Sequence, residues 1–410
     1  MTVCLNGRTS KMPPLYLHIG RSKSGSSTIQ GLVSGYPGLM ESAGIYCPMT
    51  LHGRPNHTLL AWALHDPKEK DHGSIDKFRR DLKQCRRRKV FVSSESLFNL
   101  PAEGILERLA PLVRRLEVKI LFYIRDYPSW LPSLYVEHTK RAIRAASFDR
   151  YFGFQHKNVS VLPRLEQWAA VFGWEALRVR PLDARALVGG NLISDLWYAL
   201  GVEGSPPDVP PLNVSPHWIT VESQRALAVA AASAGVGTLD RRSRKQTRLF
   251  FERCAAAEPS RTQYVTLAQW HDLAALYRAD MEEIGRRTGM AFPISLEEPG
   301  ERPFLPSFTA VPDGIKSKIR AEMHTLSPDV IPLVERMLDD KDIGHLPADE
   351  QCSPSSFGAQ TGAVPPADED MKVAMATSSQ ARLPSLQRLG QWWLWLLPLA
   401  RFRRFLNGSK

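Results

Sequence analysis

The chain has 410 residues, of which 43% are hydrophobic and 23% are charged, proportions that are typical of a soluble protein with one large domain or two ordinary ones. The formal net charge is +11, but six basic and no acidic residues lie from Arg382 to Lys410, so the rest of the chain is only mildly basic. Five scattered cysteines without C-x-x-C spacing argue against a disulfide framework and a zinc site. The N-terminal stretch lacks the long apolar core of a signal peptide. We therefore expect a cytoplasmic protein without a metal.

Four short apolar runs, each followed by helix-like sequence, predict buried parallel strands. They cover residues 15–19, 90–93, 118–124 and 177–181. Alternation of such strands with helices is typical of the α/β class. We expect an open parallel sheet of the P-loop type that is flanked by helices.

Composition divides the chain further. The proline-rich residues 205–211 predict a boundary, because proline is excluded from helix interiors and central strands. Beyond it, residues 215–235 and 266–289 have helical patterns and predict a C-terminal helical cap. A stretch rich in Ser, Pro, Ala, Gly and Asp then predicts disorder. The expected segments are an α/β core at 1–204, a helical cap at 205–346, a disordered linker at 347–382 and a basic, Trp-rich segment at 383–410.

The last of these segments contains the run LGQWWLWLLPLARFRRFL. It is too short to span a bilayer, which needs about 20 apolar residues. Three tryptophans followed by Arg401, Arg403 and Arg404 suit peripheral contact with an anionic membrane. A helix docked on the protein's own surface explains the same pattern, and both interpretations stay open.

A glycine-rich polar turn follows the first strand, and we call residues 20–28 the glycine loop. A helix that opens at Ser26 or Ser27 offers unpaired N–H groups to a phosphate. Gly20 and Gly25 allow close approach of the backbone, and Lys23 adds a positive charge. The lysine precedes the second glycine, unlike that of the G-x-x-x-x-G-K-[ST] loop of NTPases. A phosphate site of another kind and an ordinary strand–turn–helix with a serine N-cap both explain the pattern, and both interpretations stay open here.

A second strand end carries similar chemistry. In FYIRDYPSWLPSLY, Arg125 follows the strand and Ser133 lies in the predicted helix. Because ligands of open α/β sheets bind at the carboxyl ends of strands, we expect Arg125 to face the same cleft as Lys23. A guanidinium and a hydroxyl so placed suit a second phosphate. The alternative is an ordinary ion pair of Arg125 with Asp126 or another surface carboxylate.

These motifs resemble the bacterial branch of the PAPS-dependent sulfotransferases. HIGRSKSGSSTIQ is similar to that family's 5′-phosphosulfate loop, HIGxPKTGTTSLQ, and FYIRDYPSWLPSLY to its 3′-phosphate motif. The likeness extends from about residue 15 to residue 201. One departure is the pair Arg21-Ser22, since the family has proline before the lysine.

The resemblance implies transfer of a sulfuryl group from PAPS to a hydroxyl or amine, without a metal. The acceptor that it implies is a carbohydrate or glycolipid, and no nucleic acid is expected. Lys23 would act in catalysis by offsetting charge on the leaving phosphate. The residues that it implies for cofactor binding are Arg21, Ser22, Lys23, Ser24, Gly25, Ser26, Ser27, Thr28, Arg125 and Ser133.

Transfer to a hydroxyl requires a general base. His57 has the appropriate chemistry and resembles a histidine that bacterial members carry after the phosphate loop. Glu95 is the alternative, because it follows a strand whose end faces the cleft. We place His57 ahead of Glu95, and we expect His18, inside the first strand, to be a core residue.

Two other functions stay open on the sequence alone. A P-loop kinase or NTPase would need Mg²⁺ and a carboxylate after a later strand, a position that Glu95 occupies. A non-catalytic, membrane-docked anion-binding protein would keep the fold without any transfer activity.

Overall fold

The computed structural model describes residues 14–48, 57–70, 73–85, 88–140, 145–206, 216–256, 258, 264–298, 308–340 and 343. The strands are β1 (Pro14–His18), β2 (Ile45–Tyr46), β3 (Lys89–Ser93), β4 (Glu117–Ile124) and β5 (Leu177–Pro181). The α-helices are α1 (Ser26–Gly35), α2 (Pro37–Ser42), α3 (Thr58–His65), α4 (Pro67–Lys70), α5 (Ser74–Gln84), α6 (Ala110–Val113), α7 (Tyr127–Thr139), α8 (Phe148–Gln155), α9 (Leu162–Phe172), α10 (Leu192–Ala199), α11 (Trp218–Ser233), α12 (Arg241–Ala255), α13 (Leu267–Thr288), α14 (Asp313–Glu322) and α15 (Ile331–Asp339).

The strands form one parallel sheet in the order β2-β3-β1-β4-β5. The four predicted strands are confirmed to within one residue at either end. The sequence analysis missed β2, which has only two residues. With β1 at the centre, the loop that follows it lies between the ends of β3 and β4.

Both faces of the sheet are buried under helices, as the predicted α/β class requires. Side chains of successive residues in a strand point to opposite faces. In β4, Ile120, Phe122 and Ile124 accordingly belong to one apolar cluster, while Leu121 and Tyr123 belong to another. The near-continuous apolar runs of the sequence arise from this two-sided burial.

The helices after β5 divide their packing between two cores. α13 packs on α7 and buries Leu273, Tyr277 and Met281 in the sheet cluster. Helices α11, α12, α14 and α15 form a separate cluster around residues such as Phe251 and Ile319. The predicted C-terminal helical layer is thus present. The expected boundary at 205–211 and the segments 347–382 and 383–410 fall wholly or largely outside the described residues.

Candidate functional site

The glycine loop joins β1 to α1, and α1 begins at Ser26 as predicted. Gly25 adopts φ +82° at the N-cap, in the left-handed region that favours glycine. A Cβ atom on Gly25 would lie 2.4 Å from Leu192 Cδ2, and one on Gly20 would lie 2.2 Å from Ser26 Oγ. Both glycines are therefore needed for the path of the chain.

Arg21 anchors the loop to the protein through its side chain. The guanidinium carbon lies 3.3 Å from the centre of the Trp130 ring, and the group donates to the carbonyls of Val159 (2.8 Å) and Asn158 (3.3 Å). Burial lowers the pKa of Arg21 to about 10, so it stays charged at neutral pH. Trp130 Nε1 in turn donates to Ser22 O at 2.8 Å. The side chain of Arg21, predicted as a cofactor ligand, is thus engaged with the protein.

The Ser24 hydroxyl and the start of α1 offer polar groups that have no protein partner within the described residues. Ser24 is 1% exposed, and its hydroxyl has no hydrogen-bond partner within the described residues. Such a buried hydroxyl costs about 1–3 kcal/mol unless a ligand binds it. No side chain caps α1, so the N–H groups of Ser26 and Ser27 lack intrahelical acceptors, whereas that of Thr28 donates to Gly25 O at 3.0 Å. The loop has the donors that a phosphate needs.

Lys23 extends from this loop to helix α7. Its backbone has φ +66°, which is uncommon for a residue with a side chain. Its Nζ lies 3.1 Å from Glu137 Oε2, the same oxygen that Lys140 Nζ approaches at 2.8 Å. The ammonium of Lys23 is therefore held by a carboxylate on α7.

Arg125 and Ser133 line one cavity of about 670 Å³ at the ends of β4 and β5. Arg125 Nε donates to Ser129 Oγ at 3.1 Å, and its two terminal nitrogens have no partner within the described residues. Burial lowers the pKa of Arg125. The remaining wall is mixed polar and aromatic, and it includes Asp183, Arg185, Tyr264, Trp270 and Tyr277. The volume is that of a small-molecule site.

None of the glycine-loop residues lines this cavity; helix α7 connects the two. Ser129, Ser133 and Glu137 are spaced four residues apart and so share one face of the helix. Ser129 contacts Arg125 at one end of this face, and Glu137 contacts Lys23 at the other. Of Lys23, Arg125 and Ser133, only the last two line the cavity, so Lys23, which we expected to face the same cleft as Arg125, lies at the other end of this helix face.

Glu95 begins a short 3₁₀ turn after β3 and faces the glycine loop. Its Oε2 accepts a hydrogen bond from Ser22 Oγ at 3.0 Å. Burial raises the pKa of the Glu95 carboxyl, and the nearby Glu137 acts in the same direction, while Ser22, Lys23 and Ser26 oppose the rise in pKa. A carboxyl with a raised pKa beside Lys23 is suited to accepting a proton.

His57 is 4% exposed, and both of its ring nitrogens contact backbone groups. Nε2 lies 2.8 Å from Pro48 O, and Nδ1 lies 3.2 Å from the Ser93 N–H. These contacts fit the neutral tautomer in which Nε2 donates and Nδ1 accepts, and burial lowers the pKa of His57. Both ring nitrogens of His57 are thus engaged by the backbone, whereas the Glu95 carboxylate contacts the glycine loop.

His18 is a core residue, as predicted. It is 0% exposed, and its Nδ1 lies 2.8 Å from Ser93 Oγ. Burial lowers its pKa to about 3.

Sequence reasoning missed Glu137 and Trp130 in this site. Trp130 lies inside the run FYIRDYPSWLPSLY and Glu137 lies two residues after it, and both are at helical spacing from Ser133. Helical periodicity could have placed Glu137 on the Ser133 face. No sequence signal indicated the contact of Trp130 with Arg21.

No protein-family model matches the chain, and no curated protein matches it. Among solved structures, a crystal structure of a sulfotransferase from Alicyclobacillus acidocaldarius is similar to 54% of this chain and 95% of its own, with 18% identity and a TM-score of 0.34. A likeness of this size does not identify a function. In the described part of the chain, no cluster of His, Cys, Asp or Glu could hold a metal ion. Nor does any helix described there have the length and apolarity to cross a membrane.

Proposed function

We propose that the protein is a sulfotransferase that moves the sulfuryl group of PAPS to a hydroxyl or amine. The observation that supports this most is that one helix face links Lys23 of the glycine loop to Arg125 of the cavity wall. Lys23 contacts Glu137 at one end of α7, and Arg125 contacts Ser129 at the other, with Ser133 between them. A nucleotide with phosphates at both its 5′ and 3′ positions requires two separate anion sites of this kind.

The residues present fit this co-substrate. The buried, unpartnered hydroxyl of Ser24 and the uncapped N-terminus of α1 would bind the 5′-phosphosulfate. Ser26, Ser27 and Thr28 would add donors there. Arg125 and Ser133 would bind the 3′-phosphate from the cavity wall. Arg21 would support the loop through Trp130 and would not contact the nucleotide through its side chain.

In the proposed reaction, the acceptor oxygen bonds to sulfur while the bond between sulfur and the bridging oxygen breaks. The electron pair of the broken bond stays on the leaving phosphate, where Lys23 offsets the developing charge. Glu95 takes the proton of the acceptor hydroxyl. We assign this role to Glu95 because it faces the glycine loop, whereas the nitrogens of His57 contact backbone groups.

The test is calorimetric titration of wild type, Lys23→Ala and Arg125→Ala with adenosine 3′,5′-bisphosphate. We expect wild type to bind the nucleotide and each variant to bind it at least about tenfold more weakly. The reason is that each variant loses a charge-assisted contact, which contributes roughly 1.5–3 kcal/mol. Glu252→Gln, which removes a charge from an ion pair on α12, is the control and should bind like wild type. Binding of ATP with Mg²⁺ in place of this nucleotide would show a kinase or NTPase instead.

The acceptor of the proposed reaction is a carbohydrate or glycolipid, as the resemblance implies. Segment 383–410 is proposed to bring the enzyme to the inner face of the membrane. Loss of binding to anionic vesicles after deletion of residues 384–410 would support this, and unchanged binding would contradict it.

A further inference from the structure

Ser22 stands where the resembled loop has proline, and its hydroxyl has a defined partner. Ser22 Oγ donates to Glu95 Oε2 at 3.0 Å across a sequence separation of 73 residues. Proline has no side-chain donor and could not make this bond. The contact is therefore a feature of this chain's own loop.

Both sides of the contact are held in place by other bonds. On the loop side, Trp130 Nε1 binds the carbonyl of Ser22 at 2.8 Å, and the preceding Arg21 stacks on the same ring. On the other side, the residue before Glu95 is bonded to β1, because the Ser94 N–H donates to His18 O at 3.1 Å. A hydroxyl and a carboxylate fixed in this way meet with little loss of side-chain freedom.

We propose that Ser22 is a positioning residue whose hydroxyl holds the Glu95 carboxylate at the glycine loop, where it takes the proton of the acceptor. The inference rests on the proposed function. In the step concerned, the proton of the acceptor passes to Glu95 as the acceptor oxygen bonds to sulfur and the leaving phosphate departs. Ser22 itself neither gains nor loses a proton.

Ser22 also affects the charge state of Glu95. A hydrogen bond to an ionised carboxylate favours that form, so the Ser22 hydroxyl lowers the pKa of Glu95 against the effect of burial. The other groups that act on Glu95 are Lys23 and Ser26 of the glycine loop and Glu137 of α7. A change at Ser22 leaves all three in place.

The test measures the Glu95 titration without an acceptor. The probe is adenosine 3′,5′-bisphosphate, bound calorimetrically from about pH 4, just below the ordinary pKa of a glutamate, to about pH 8. Ionised Glu95 repels this anion. The ratio of the wild-type affinity to the affinity of Glu95→Gln therefore falls in one step as the pH rises through the Glu95 pKa. The nucleotide's own phosphate ionisation is common to both proteins and cancels in the ratio.

In Ser22→Ala, we expect the midpoint of this step to lie about one pH unit higher than in wild type, because a charge-assisted bond to the ionised Glu95 is lost. The reference protein for this variant is the double variant Ser22→Ala/Glu95→Gln. Ser22→Thr, which keeps the hydroxyl, should restore the midpoint. Ser34→Ala makes the same substitution at the far end of α1 and should match wild type.

The outcomes separate the two proposals. If wild type binds the nucleotide but shows no step with pH, or if the midpoint in Ser22→Ala equals that of wild type, the proposed role of Ser22 is wrong and the proposed function still stands. A wild type that does not bind the nucleotide overturns the proposed function and this inference with it.

Discussion

Lys23 Nζ and Glu137 Oε2 lie 3.1 Å apart, joining the glycine loop to helix α7. Both side chains are about one-quarter exposed or less, at 26% and 19%, so solvent screens the pair less than it screens a surface ion pair. The same Glu137 oxygen also contacts Lys140. The ammonium of Lys23, which the proposed function assigns to the leaving phosphate, is thus already paired with a carboxylate. A bound nucleotide has to compete with the Glu137 carboxylate for this ammonium.

We expect Glu137→Gln to bind adenosine 3′,5′-bisphosphate more tightly than wild type. The substitution removes the carboxylate that competes for Lys23, and with it a negative charge near the anion. We expect the binding free energy to improve by about 1 kcal/mol, or roughly fivefold in affinity. Calorimetric titration measures it directly. In the background of Lys23→Ala the gain should shrink, because the contested ammonium is gone. Weaker binding by Glu137→Gln would show that Glu137 supports the nucleotide site instead of competing for Lys23.

Asp280 on α13 is a buried acceptor that supports the glycine loop from a distance. It is 4% exposed and accepts hydrogen bonds from Tyr127 Oη, Ser160 Oγ (2.7 Å) and the Val161 N–H (3.1 Å). The turn before Val161 supplies the carbonyls to which Arg21 donates. The path of the loop therefore depends on α13 as well as on β1.

Asp280→Ala should lower the free energy of unfolding by about 2–4 kcal/mol, because it removes the acceptor of the buried Tyr127 hydroxyl and of the half-buried Ser160 hydroxyl. Urea unfolding measures the loss. Asp272→Ala changes an exposed residue of the same helix and should stay within about 0.5 kcal/mol of wild type. Equal losses of unfolding free energy in the two variants would contradict the role of Asp280 as a buried acceptor shared by several donors.

The sequence was sufficient for most of the sheet and for the path of the glycine loop. Long apolar runs identify strands buried on both faces, and this is why β4 and its neighbours were predicted nearly to the residue. The two residues of β2 carry no periodicity and were missed. The start of α1 followed from the serines after Gly25.

The partners of the loop side chains could not be predicted, because they are distant in sequence. Lys23 and Glu137 are 114 residues apart, and Ser22 and Glu95 are 73 apart. Residue chemistry favoured His57 as the base, but chemistry alone does not show that Pro48 and Ser93 engage both ring nitrogens. Position along the strand did indicate that Glu95 lies beside the glycine loop.

The two buried histidines predict how stability depends on pH. Burial lowers the pKa of His18 to about 3 and also lowers that of His57, while both would titrate near pH 6.5 in the unfolded chain. Below about pH 6.5 the unfolded chain therefore binds more protons than the folded one, and stability falls as the pH falls. For His18 this loss continues down to about pH 3.

Between about pH 7.5 and pH 5.5, each histidine should remove up to about 1.4 kcal/mol from the free energy of unfolding. Urea unfolding at the two pH values measures this loss, in a range above the titration of ordinary carboxylates. His57→Gln should reduce the pH dependence by the share of one histidine, whatever its effect on stability at neutral pH. His65→Gln, at the exposed end of α3, is the matched control for the change of residue type. An unchanged pH dependence in His57→Gln would mean that His57 titrates in the folded protein as it does in the unfolded chain, and this would reopen its assignment as the general base.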